Sequence, residues 1–151
     1  MEKWHLDCFF TCQIRRNHLE AMESRAQRQD TSQKSILIVD DEENLLLLLE
    51  RILTRHGYKV VTAQNSYNAS ALLKSRIFEL AILDIKMFPL DGVFLLGEIK
   101  DRSPATKVIM ITAYPTVNTR TECIKKGAST YLTKPLDIQE LKTTVDGLLS
   151  Q

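Results

Sequence analysis

Four apolar runs in this chain lead into residues able to do chemistry. "ILIV" (36–39) runs into Asp40 and Asp41, "LAIL" (80–83) into Asp84, and "VIMI" (108–111) into Thr112. "STYLT" (129–133) is followed by Lys134 and Pro135. Short β-favouring runs bounded by turn signals read as buried strands. If these strands lie parallel in one sheet, their ends deliver three carboxylates, a hydroxyl and an ammonium to one edge. Any one of them would serve as a solvated strand end; all of them on one edge suit a site. Two unit charges about 5 Å apart repel by roughly 3 kcal/mol at an effective dielectric near 20. One lysine cannot offset three such acids, so either a carboxyl pKa rises or a divalent cation binds. Hard oxygens with room for water and a phosphate suit Mg²⁺. Thr112 and Lys134 then become donors to an anion beside the metal. The chemistry implied is phosphoryl transfer, with a carboxylate as nucleophile.

Such a site exists only if the intervening elements hold it. The expected strands are 36–39, 59–63, 80–83, 107–112 and 129–133. Between and after them the helical patterns are 42–57 with Gly57 as its stop, Ser66–Arg76, a helix opening at Gly92–Lys100, Thr116–Lys126 closed by Gly127, and Ile138–Leu149. Strand and helix alternating five times predict an α/β domain, a parallel sheet with helices on both faces. The near-continuous apolar strands agree, since parallel strands are buried on both sides. In such sheets, sites lie beyond the carboxyl ends of the strands. No G-x-x-x-x-G-K-[ST] and no glycine-rich loop follows the first strand, so a bound nucleotide is not expected.

The 151 residues are 44% hydrophobic, enough for one core, and a formal charge of +1 leaves no electrostatic footprint for nucleic acid or an anionic membrane. Three cysteines, Cys8, Cys12 and Cys123, fit a reducing, cytoplasmic setting better than a disulfide framework. No apolar run approaches the roughly 20 residues of a membrane span. Composition divides the chain near residue 34: a polar N-terminal extension, 1–34, poorly ordered or a short helix, and a domain from 35 to 151. Met22 offers an alternative start. In the extension His5, Cys8, Cys12 and His18 invite a zinc reading, but C-x3-C-x5-H matches no standard finger.

The run Leu45–Leu49 splits by helical geometry. Leu45, Leu49, Ile52 and Leu53 share one face and should pack on the sheet. Leu47 points nearly opposite. It is either a lone exposed apolar residue or, with Leu46 and Leu48, a partner-docking face.

Residues 35–149 closely resemble the receiver domain of two-component response regulators. The carriers are "ILIVDDEEN" (36–44), "LDIKMFPLDG" (83–92), "VIMITAY" (108–114) and "KKGASTYLTKPLD" (125–137). The resemblance implies a five-stranded sheet of order 2-1-3-4-5, the flavodoxin-like receiver fold. It implies that Asp84 is the phospho-acceptor and that Asp41, Asp84 and the backbone carbonyl of Lys86 bind Mg²⁺, with Asp40 assisting through water. Thr112 and Lys134 become the phosphoryl-binding pair, Tyr131 the aromatic switch, and Lys134-Pro135 a cis bond. The implied function is phosphorelay signalling without enzymatic turnover, by a stand-alone receiver or one excised from a larger regulator. Its partners would be a sensor histidine kinase or histidine phosphotransfer domain and an unidentified downstream protein, with a phosphorylation-dependent homodimer as an option and no direct contact with nucleic acid or membrane. Lys86 and Tyr114, two residues past Asp84 and Thr112, would flank the path of the water that removes the phosphate. Phe88 stands where the family places proline, with Pro89 one residue later. Arg120 and Thr121 make the fourth helix more polar than usual. Two alternatives share parts of the pattern. A haloacid-dehalogenase-type metal-dependent phosphatase needs an acid where Lys86 stands. A flavin-binding flavodoxin-like module needs a Ser/Thr/Gly loop where "DDEEN" would repel the phosphate.

Overall fold

The structure, a computed structural model, describes residues 33–150. The candidate zinc set in the N-terminal extension lies outside the described residues. Strands β1 (Ser35–Val39), β2 (Lys59–Ala63), β3 (Leu80–Asp84), β4 (Lys107–Thr112) and β5 (Thr130–Thr133) alternate with helices α1 (Glu43–Arg55), α2 (Ser66–Ser75), α3 (Gly92–Arg102), α4 (Val117–Lys125) and α5 (Ile138–Leu149). The strands form one parallel sheet in the order β2-β1-β3-β4-β5. This is the expected fold and strand order.

Strand alternation divides the core into two layers. Leu37, Val39, Ala81, Leu83, Val108 and Met110 face one side, where they pack with Ala69 of α2, Leu95, Leu96 and Ile99 of α3, and Cys123 of α4. Ile36, Ile38, Leu80, Ile82, Ile109 and Ile111 face the other and meet Leu46, Leu49 and Leu53 of α1 with Leu141, Val145 and Leu149 of α5. Leu46 corrects an expectation. It is 4% exposed and belongs to this core, not to an outward face. On the helical wheel it lies only about 20° from Leu53, so a stripe wide enough to cover a sheet includes it.

Short polar side chains cap most of these helices. Asn65, Asp91, Thr116 and Asp137 accept from backbone N–H groups in the first turns of α2, α3, α4 and α5. α1 and α4 end alike. Tyr58 N–H donates to Leu53 O and Gly57 N–H to Thr54 O; Ala128 N–H donates to Cys123 O and Gly127 N–H to Ile124 O. Both are Schellman stops, and they need φ of 102° at Gly57 and 103° at Gly127, conformations that only glycine adopts readily.

Candidate phosphoryl and metal site

The strand order reverses between β1 and β3, and the crevice at such a reversal is where α/β sheets bind ligands. Register brings the acids together there. Val39 pairs with Leu83, so Asp40 emerges beside Asp84. Oxygens of Asp40, Asp41 and Asp84 all lie within 4.8 Å of one another. Asp40 is fully buried, Asp84 nearly so, and Asp41 is exposed.

Thr112 and Lys134 arrive from β4 and from the end of β5. Thr112 pairs with Thr133, and Lys134 N–H donates to Thr112 O at 2.8 Å. Lys134 Nζ lies 2.8 Å from Asp40 Oδ2 and donates to Asp84 Oδ2 at 3.3 Å. Lys134 Nζ meets Asp40 Oδ2 as an ion pair, and a carboxylate oxygen carries two lone pairs, so this buried oxygen keeps acceptor capacity. Asp40 Oδ1 accepts from Glu42 N–H at 2.9 Å, which fixes its carboxylate. Thr112 is buried, and its hydroxyl oxygen accepts from Tyr114 N–H at 3.1 Å.

The electrostatics follow from this packing. Burial, then the charge of Asp40, pushes the Asp84 carboxyl up to about 6; Lys134 opposes them and Asp41 adds to them. Burial alone would lower the Lys134 pKa, but Asp40 and Asp84 hold it above the usual lysine value. A dense set of hard oxygens, a carboxyl raised by burial and by a neighbouring acid, and a buried oxygen with capacity to spare are the donor chemistry that Mg²⁺ fits.

Gly92 has a role that turn chemistry alone does not reveal. A Cβ there would sit 2.2 Å from the backbone oxygen of Asp84, so α3 starts against the acceptor's own peptide. Gly92 N–H also donates to Ile85 O at 2.9 Å. Its signal in sequence was the Asp91-Gly92 pair. Buried Ser66 Oγ accepts from Leu90 N–H at 3.1 Å and ties the β3–α3 loop to α2; no sequence pattern pointed to it.

The remaining expected residues fall around this centre. Lys86 is exposed in the β3–α3 loop, and its Nζ sits 4.1 Å from the centroid of the Tyr114 ring. Tyr131 is half-buried against the α2–α4 side of the core, and its buried hydroxyl has no hydrogen-bond partner. Both Phe88-Pro89 and Lys134-Pro135 are cis. Leu47 and Leu48 are 57% and 47% exposed on α1, beside Glu50, Arg51, Thr54 and Arg55.

A family model described as the response regulator receiver domain matches residues 36–146. The chain belongs to this family. This receiver is similar to the transcriptional regulatory protein ZraR of Klebsiella oxytoca, with 38% identity over 118 residues, 78% of this chain and 27% of that protein. It spans about a quarter of the length of the curated relatives it matches. A CheY-like receiver domain protein from Methanospirillum hungatei JF-1 shares the fold with a TM-score of 0.77 at 32% identity, covering 79% of this chain and 95% of that one. TrrA from Thermotoga maritima, solved in complex with Mg²⁺ and BeF, gives a TM-score of 0.68 at 36% identity, covering 76% of this chain and 98% of that one. A receiver is a signalling domain of two-component systems. Neither the phosphatase nor the flavin module is favoured. Among the described residues no helix is long and apolar enough to cross a membrane.

Proposed function

We propose that this receiver accepts a phosphoryl group on Asp84 from a phosphohistidine of a sensor kinase or histidine phosphotransfer domain, in the cytoplasm, and does no further chemistry on a separate substrate. The observation that carries the reading is Lys134 bridging Asp40 and Asp84 at the reversal of the sheet. An Asp84 oxygen attacks phosphorus; the new O–P bond forms as the P–N bond breaks, and the electron pair returns to the imidazole nitrogen. Lys134 follows the charge from the carboxylate to a phosphoryl oxygen. The Thr112 hydroxyl turns to donate to a second one. Asp41, Asp84 and the Lys86 carbonyl would hold Mg²⁺, with Asp40 acting through water. When bound, the metal neutralises charge between the carboxylates and the phosphoryl oxygens.

Readout then runs through Thr112 and Tyr131. A buried hydroxyl without a partner costs about 1–3 kcal/mol, so the observed packing of Tyr131 is one that a small bias can shift. Leu47 and Leu48, without Leu46, form the apolar part of the docking surface for the phosphodonor. The output partner, and any homodimer, would use surface altered by this shift.

Acetyl phosphate labelling mapped by mass spectrometry tests the acceptor. The expected adduct is on Asp84 alone, is lost in Asp84→Asn, and is abolished by EDTA. Label elsewhere, or label indifferent to EDTA, refutes it. A beryllofluoride complex with an unmoved Tyr131 would remove the switch while leaving the acceptor in place.

A further inference from the structure

The geometry points to Lys86 as a two-position residue: its ammonium is clamped on the Tyr114 ring when Asp84 is free, and moves to the phosphoryl group when Asp84 carries one, releasing the ring. This rests on the reading of Asp84 as the acceptor. Lys86 Nζ stands 4.1 Å from the Tyr114 centroid, a cation–π contact that joins the β3–α3 loop to the β4–α4 loop. Lys86 and Asp41 line the same groove, about 580 Å³, and Lys86 lies two residues past Asp84, so its side chain starts beside the acidic site. Tyr114 is 65% exposed and belongs to neither layer of the core, so its ring is free to turn once the ammonium leaves.

The two positions are of unequal strength. An exposed cation–π contact shifts an equilibrium by about two- to fivefold. A charge-assisted contact to a phosphoryl oxygen is worth about tenfold or more. The anion therefore wins, but only after the ring contact has been given up, so Tyr114 competes with the phosphoryl group for Lys86. A second link acts in the same direction. Tyr114 N–H donates to Thr112 Oγ1, the hydroxyl that turns toward the anion, so one ligand loosens Tyr114 at both its backbone and its ring. The ring then becomes free apolar surface, three residues ahead of Val117, which is already exposed at the head of α4.

Beryllofluoride affinity with Mg²⁺, measured in the whole chain, tests the competition through a double-mutant cycle. Tyr114→Leu should tighten binding about two- to fivefold, because Lys86 starts free. Lys86→Met, which keeps the backbone carbonyl, should weaken binding about two- to fivefold relative to wild type and about tenfold relative to Tyr114→Leu, because wild type gains the phosphoryl contact only by giving up the ring contact. In the Lys86→Met background, Tyr114→Leu should change nothing. A fluorotyrosine resonance at Tyr114 should shift on beryllofluoride binding in wild type and shift much less in Lys86→Met. Unchanged or weaker binding by Tyr114→Leu, or additive effects in the double variant, overturns the competition alone. Wild type that binds no beryllofluoride overturns the acceptor reading and this one with it.

Discussion

Asp84 is costly to the fold it serves. Its carboxyl ordinarily titrates near 3.8 and here near 6, raised by burial first and by Asp40 next. A carboxyl raised in the folded state opposes folding once it ionises. Stability from this group is therefore intact at acid pH and lost as pH rises from about 4 through about 6. The full loss is at most about 3 kcal/mol. In metal-free buffer Asp84→Asn should melt higher than wild type by several degrees at pH 7, and the gap should close toward pH 4. Added Mg²⁺ should raise wild type and leave Asp84→Asn nearly unmoved. Paired thermal melts across that pH range check this, and a gap independent of pH would refute it. Asp84, Asp40, Asp41, Thr112 and Lys134 were all legible in the sequence because each lies at or just past the end of an apolar strand, where parallel topology leaves them one edge to occupy. The orphaned hydroxyl of Tyr131 was not legible, because hydrogen-bond satisfaction is a property of neighbours from other elements. The clamp of Lys86 on Tyr114 was hidden for the same reason: spacing put both near the site but could not show them in contact.

At the scale of elements, α1 has two faces with different duties. Leu46, Leu49 and Leu53 bury against the sheet, while Leu47 and Leu48 remain outside among Glu50, Arg51 and Arg55. Helical periodicity gave the centre of the buried stripe but not its width, which depends on the curvature of the sheet beneath; hence the misplacement of Leu46. Leu47→Asp should leave thermal stability within about 0.5 kcal/mol, as expected for an exposed position. It should slow phosphotransfer from a histidine phosphodonor several-fold and leave labelling by acetyl phosphate intact. Equal slowing of both reactions would assign Leu47 to the fold and not to docking. The helix boundaries were legible to within a residue or two because caps and glycine stops are local chemistry. The close start of α3 against Asp84 was not, since the contact that demands Gly92 lies eight residues back along the chain.

Across the whole domain, Asp146 of α5 ties two distant segments together. It accepts from Tyr58 OH at 2.5 Å and meets His56 Nε2 at 2.8 Å, linking the turn after α1 to the last helix. Burial, then the bond to Asp146, pushes Tyr58 up to about 12. The bond from Tyr58, then that from His56, holds Asp146 below the usual carboxylate range. A depressed carboxyl stabilises the fold above its ordinary pKa, and that contribution is lost as pH falls through its folded value. Asp146→Ala should cost about 1 kcal/mol at pH 7, and urea titrations should show the difference vanishing in strong acid. A cost that persists there would assign it to packing.

Lys34 Nζ also reaches across to the carbonyl of Leu149, so the first strand begins and the last helix finishes side by side, at the end of the sheet away from the acids. A five-residue strand such as β3 spans about 17 Å, and salt screens charge over about 8 Å in physiological buffer. The backbone at that pole, at Lys34 and Leu149, lies about two screening lengths from Asp84. That pole would feel almost none of the field of a charge added to Asp84, so news of a modification reaches it only mechanically, through side chains that change place.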